Sequence, residues 1–85
     1  MKIFLDTADT EIIGKYFETG LIDGVTTNPS LIMKAGRDPE VVYQEIKNIG
    51  VKDISMEVMG DAQTMLSEGL RLSEKFGSVS TIKLP

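Results

Sequence analysis

The sequence predicts an α/β fold of parallel βαβ units, with about four strands and three main helices in 85 residues, roughly half of a (β/α)8 barrel. Two observations carry this. Short apolar, β-branched segments alternate regularly with segments of helical periodicity, the pattern of parallel strands joined by right-handed crossovers. Each strand also ends in a polar residue, and in parallel α/β architectures chemistry gathers at the carboxyl ends of strands. An open doubly wound sheet is the competing architecture. As a free-standing sheet, either arrangement would carry two unpaired parallel edges. Residues 1–85 are therefore expected to form a single portion of a barrel, truncated after its fourth strand.

Ile3-Phe4-Leu5 opens the chain as a strand and runs into Asp6-Thr7. The first helix is expected from Asp9 or Thr10, with Ile12, Ile13, Tyr16 and Phe17 as its buried stripe and Gly20 in the C-cap region. Leu21 to Val25 reads as the second strand, followed by Thr26-Thr27-Asn28-Pro29-Ser30, and a short helical turn is expected from Pro29 through Leu31 and Ile32 to Gly36. Asp38 and Pro39 start the next helix, which places Val42, Ile46 and Ile49 on one face before Gly50. Asp53 to Val58 forms the third strand. The last main helix, between Asp61 and Gly77, carries Ala62, Met65, Gly69, Leu72 and Phe76 at core spacing, with Leu66 and Leu70 widening the stripe. Val79 to Leu84 is the fourth strand, ahead of Pro85.

Composition narrows the possible functions. Nine basic and thirteen acidic residues, interspersed, give a net charge of −4, with no cationic surface for nucleic acid. No apolar run is long enough to span a membrane, and the N-terminus does not read as a signal peptide. Cysteine and histidine are both absent, so acid–base work falls to Asp, Glu, Lys or Tyr. The lack of cysteine also suits a cytoplasmic setting.

Side-chain alternation then selects a set. Ser55 and Glu57 share one side of their strand and Ile54, Met56 and Val58 the other; Thr81 and Lys83 likewise oppose Ile82 and Leu84. With the apolar side toward helices, Glu57 and Lys83 point inward, and Asp6 joins them at the top of the first strand. A lysine on a strand covered from both sides would lose its hydration, and a neutral amine is a nucleophile toward carbonyl compounds. Each residue has a structural alternative. Lys83 could reach solvent from an edge strand, Asp6 and Glu57 could belong to a register-fixing ion-pair network, and Asn28 could be a helix N-cap. Arg37 and Arg71, in a loop and on a helix, are not expected to contribute.

Four segments, Phe4-Leu5-Asp6-Thr7-Ala8, Gly24-Val25-Thr26-Thr27-Asn28-Pro29-Ser30-Leu31, Ser55-Met56-Glu57-Val58 and Ile82-Lys83-Leu84-Pro85, together resemble the transaldolase family. The likeness is to its small single-domain branch, which includes fructose-6-phosphate aldolase-like members, and it spans the whole chain. It implies the N-terminal half of a (β/α)8 barrel, class I aldol chemistry without metal or other cofactor, and a place in the pentose phosphate part of carbohydrate metabolism. By the resemblance, Lys83 forms a Schiff base with a ketose phosphate of the fructose 6-phosphate type, Asp6 exchanges a proton with the substrate hydroxyl, and Glu57 works through a water in imine formation. Asn28 binds the dihydroxyacetone hydroxyls, and Thr26 supports the pocket. Glutamate at position 57 resembles transaldolases, whereas the fructose-6-phosphate aldolase branch has glutamine. Transfer of dihydroxyacetone to an aldose phosphate is therefore favoured over simple aldol cleavage, with a non-catalytic half-barrel as a further alternative, and the 85 residues alone are expected to be inactive or weakly active. The family's phosphate-binding residues lie in strands this sequence lacks, and the complete form is expected to be a homo-oligomer.

Overall fold

The computed structural model describes all residues from Met1 to Pro85. Strands β1 (Phe4–Asp6), β2 (Gly24–Thr26), β3 (Ile54–Glu57) and β4 (Ser80–Lys83) form one sheet in the order β1-β2-β3-β4, every pairing parallel. Helix α1 (Thr10–Glu18) follows β1, α2 (Pro29–Lys34) and α3 (Pro39–Ile49) follow β2, and α4 (Ala62–Phe76) follows β3, with a 3-10 turn at Gly77–Val79 leading into β4. Sequential strand order separates the two expected architectures. A doubly wound sheet reverses its order partway and covers both faces with helices, whereas this sheet runs steadily outward and buries one face. It is the half-barrel arrangement.

The buried face follows from alternation. Val25, Thr27, Ile54, Met56 and Val58 are at most 3% exposed and lie under the helices. Their centre is α3, which supplies Val42, Tyr43 and Ile46, while α4 supplies Leu72 and Phe76. Tyr43, absent from the expected stripe, meets Phe76 edge to face with ring centroids 5.7 Å apart. Gly69 lets α4 approach β4 closely, since a Cβ there would stand 3.3 Å from Ile82 Cγ2.

Local chemistry sets the helix ends. Asp9 accepts from the backbone N–H groups of Glu11 and Ile12, and Asp61 from that of Thr64. Asp38 is extended without a capping bond, so Pro39 defines the start of α3, and Gly50 at φ 114° ends it in the left-handed region.

Two expected stripes are wider than what the fold buries. In α1 only Ile13 is buried and Phe17 half-buried, while Ile12 and Tyr16 are 41% and 54% exposed. In α4, Gly69, Leu72 and Phe76 are buried and Met65 half-buried, Ala62 is exposed, and Leu66 and Leu70 are 65% and 59% exposed. The reason is position. These helices flank the two open edges, and each stripe is broad enough for neighbours on both sides but has one on the inner side alone. β4 is also not covered on both sides: it is an edge strand, and Lys83 is exposed.

Candidate active site

The sheet face away from the helices carries the site. Register places Asp6, Thr26, Ser55 and Thr81 side by side across all four strands, and Glu57 directly beside Lys83 two residues further on. Only Phe4, whose ring lies over Gly24, interrupts the polar character of this face near its lower end. Hydroxyls of this first row hold two carboxylates. Thr26 Oγ1 donates to Asp6 Oδ1 at 2.8 Å, and Thr81 Oγ1 donates to Asp53 Oδ1 at 2.5 Å. The side chains of Glu57 and Lys83 form no ion pair; the chain's ion pairs all belong to residues of α3, α4 and Arg37.

Asn28 combines two positions. It ends the extended segment after β2 and is the N-cap of α2, its Oδ1 accepting from the N–H groups of Ser30 at 3.0 Å and Leu31 at 3.3 Å. That capping occupies Oδ1 and leaves the Nδ2 hydrogens of this exposed residue available as donors. Beneath it, Thr27 is buried on the helix side and donates to the carbonyl of Ser55 at 2.7 Å, tying the end of β2 to β3. A hydroxyl flanked by Thr26 and Asn28 but on the apolar side of the strand is the sequence signal for this tie.

The structure thus brings Asp6 to Thr26 and Glu57 to Lys83, but keeps these pairs apart. Asp6 on β1 and Lys83 on β4 stand on opposite edges, three strand spacings or about 14 Å across the sheet. A cleft of about 300 Å³ lies at the carboxyl end of β3, and Glu57 is the only one of the five candidates that borders it. Its other walls include Tyr43, Glu40 and Arg71. Burial pushes the Tyr43 hydroxyl up, with the Glu40 and Glu57 charges acting the same way and the Thr27 hydroxyl opposing. Arg71 grips Glu40 through two bonds of 2.9 and 2.8 Å and Glu68 through one of 2.6 Å, while Lys75 reaches Glu40 at 2.7 Å. These hydrogen bonds hold the Glu40 carboxyl down to about 2. Arg71 is therefore fully engaged beside the site, and Arg37 is paired with Glu45 well away from it. No helix is long and apolar enough to cross a membrane.

Comparison with known proteins gives a match to the family described as Transaldolase/Fructose-6-phosphate aldolase over residues 3–85. Among individual relatives, a "Probable transaldolase" of Roseobacter denitrificans is 48% identical over 86 residues, covering 100% of this chain and 39% of that protein. One from Clostridium botulinum is 49% identical with the same coverage of 100% and 39%, and one from Nitrosopumilus maritimus is 45% identical with 100% and 38%. The chain spans about 39% of the length of the curated relatives it matches.

Proposed function

We propose, from the premise that this chain belongs to the transaldolase/fructose-6-phosphate aldolase family, that its polar sheet face is the N-terminal share of a class I aldol site that transfers dihydroxyacetone between sugar phosphates. The observation that carries this reading is the direct pairing of Glu57 with Lys83 at the carboxyl ends of adjacent strands, on the face that also presents Asp6, Thr26 and Asn28. In the proposed reaction, the Lys83 amine adds to the ketone carbon of a fructose 6-phosphate type donor. Glu57, through a water, delivers the proton that lets the carbinolamine oxygen leave as water, which gives the iminium. Asp6 then removes the proton of the hydroxyl on the carbon beyond the scissile bond; the carbon–carbon electrons move into the iminium, and an aldose phosphate departs. Addition of the retained enamine to an acceptor aldose phosphate reverses these steps. Asn28 Nδ2 holds the dihydroxyacetone hydroxyls, and the Thr26 bond keeps Asp6 oriented. A cysteine-free chain acting on phosphorylated metabolites fits the cytoplasm.

Borohydride trapping tests the assignment. The protein is incubated with fructose 6-phosphate, reduced, digested and mapped by mass spectrometry. The expected adduct is on Lys83 and is lost in Lys83→Met; labelling spread evenly over the other lysines would overturn it. Glu57 favours transfer over the alternative aldol cleavage, so product formation should depend on an added aldose phosphate acceptor.

A further inference from the structure

We infer that Thr27 is a positioning residue for this site: its bond to the Ser55 carbonyl sets how far Asn28 stands from the Glu57–Lys83 pair, and with it the fit of the dihydroxyacetone hydroxyls. The inference rests on the class I aldol reading given above. It starts from an irregularity in the sheet. β3 stays paired with β4 through four residues, up to Glu57 beside Lys83, whereas β2 stays paired with β3 through two, Val25 with Ile54 and Thr26 with Ser55. The N–H of Val25 donates to the Asp53 carbonyl at 2.9 Å. A regular parallel ladder would continue with the N–H of Thr27 on the carbonyl of Ser55; here the Thr27 hydroxyl takes that acceptor, at 2.7 Å. Above this point the two strands part. The cleft of about 300 Å³ opens there, with Pro29 and Ser30 at the start of α2 among its walls on one side and Glu57, Val58 and Met59 on the other.

Location and burial make this bond matter to the site. Thr27 lies between Thr26, whose hydroxyl holds Asp6, and Asn28, whose Nδ2 hydrogens are the proposed donors to substrate. Its acceptor, Ser55, stands two residues before Glu57 on the same face of β3. A single hydrogen bond therefore links the segment that carries Thr26 and Asn28 to the strand that carries Glu57. Thr27 is also 3% exposed, so water does not readily replace the bond once the hydroxyl is removed. Without it, the end of β2 is held to β3 only up to Thr26, while Glu57 and Lys83 keep their own pairing. Removing the hydroxyl should thus displace Asn28 relative to Lys83 and leave the reactivity of the amine itself unchanged.

Two ketones separate these effects: dihydroxyacetone, which offers hydroxyls to Asn28, and acetone, which has none. Each condenses with the Lys83 amine with loss of water, and borohydride then adds hydride to the iminium carbon, leaving a secondary amine that mass spectrometry maps. The 85-residue chain, Thr27→Val, Thr27→Ser and the core variant Ile46→Val are compared in sucrose, which favours the folded state, with rates scaled to the folded fraction from far-UV spectra. Thr27→Val should slow the dihydroxyacetone adduct on Lys83 about tenfold and hold the acetone adduct within about twofold of wild type, the signature of a misplaced contact. Thr27→Ser should restore the dihydroxyacetone rate, and Ile46→Val should slow neither adduct. An unchanged dihydroxyacetone rate in Thr27→Val, equal slowing with both ketones, no recovery in Thr27→Ser, or the same selective loss in Ile46→Val would each overturn the role of Thr27 and leave the aldol reading standing. A wild type that forms no Lys83 adduct with either ketone would sink that reading and this inference together.

Discussion

Because Asn28 commits its amide oxygen to the first turn of α2, its capping and its proposed contact with substrate can be separated by two substitutions. Asn28→Ala removes both and should cost about 1 kcal/mol of stability in urea unfolding. Asn28→Asp keeps an oxygen for the cap and should stay within about 0.5 kcal/mol of wild type, yet it loses the Nδ2 donors and should reduce adduct formation on Lys83. Equal adduct yields in Asn28→Asp and wild type would confine the residue to capping. Thr27 offers a buried counterpart. Replacing it with Val keeps its shape but removes the bond to the Ser55 carbonyl, and should cost about 1–2 kcal/mol, largely regained in Thr27→Ser.

Among the elements, the α3–α4 seam has a pH signature. The Glu40 carboxyl is depressed from 4.5 to about 2 by its bonds to Arg71 and Lys75. A depressed carboxylate contributes stability that is fully present above the unfolded-state value and is lost as pH falls through 4.5 toward about 2. After discounting for the exposure of both cations, that contribution is about 1 kcal/mol. Urea midpoints of wild type and Glu40→Gln should differ at pH 7 and converge near pH 2; a constant gap would show that the pair does not couple to folding. The β1–β2 pairing depends on a small residue in the same direct way. A Cβ on Gly24 would meet Phe4 Cε2 at 2.5 Å and the Asp53 carbonyl oxygen at 2.6 Å, so Gly24→Ala should destabilise by about 2 kcal/mol. Adding Phe4→Ala should not rescue it, because the backbone clash remains.

At the scale of the whole molecule, a core of twelve buried hydrophobic residues supports a sheet with two free edges and one wetted polar face. Marginal stability is the expected result for so small a core.

Much of this was legible in one dimension because it rests on local chemistry. The start of α2 at Asn28-Pro29 and of α3 at Asp38-Pro39, the end of α3 at Gly50, and the opposition of Glu57 to Met56 on β3 follow from backbone preferences and a two-residue period. Family membership was legible for a similar reason, since its segments lie at strand ends whose order is the order of the chain. Tertiary structure decided the rest. Periodicity marked Ile12, Tyr16, Leu66 and Leu70 as buried without saying whether a neighbour exists to bury them, and it could not reveal that Tyr43 turns onto Phe76. Lys83 is the sharpest case. Sequence alone determined its strand and its face, because alternation is local, but the register that sets it directly beside Glu57 is a property of the assembled sheet, and only the tertiary structure decided it.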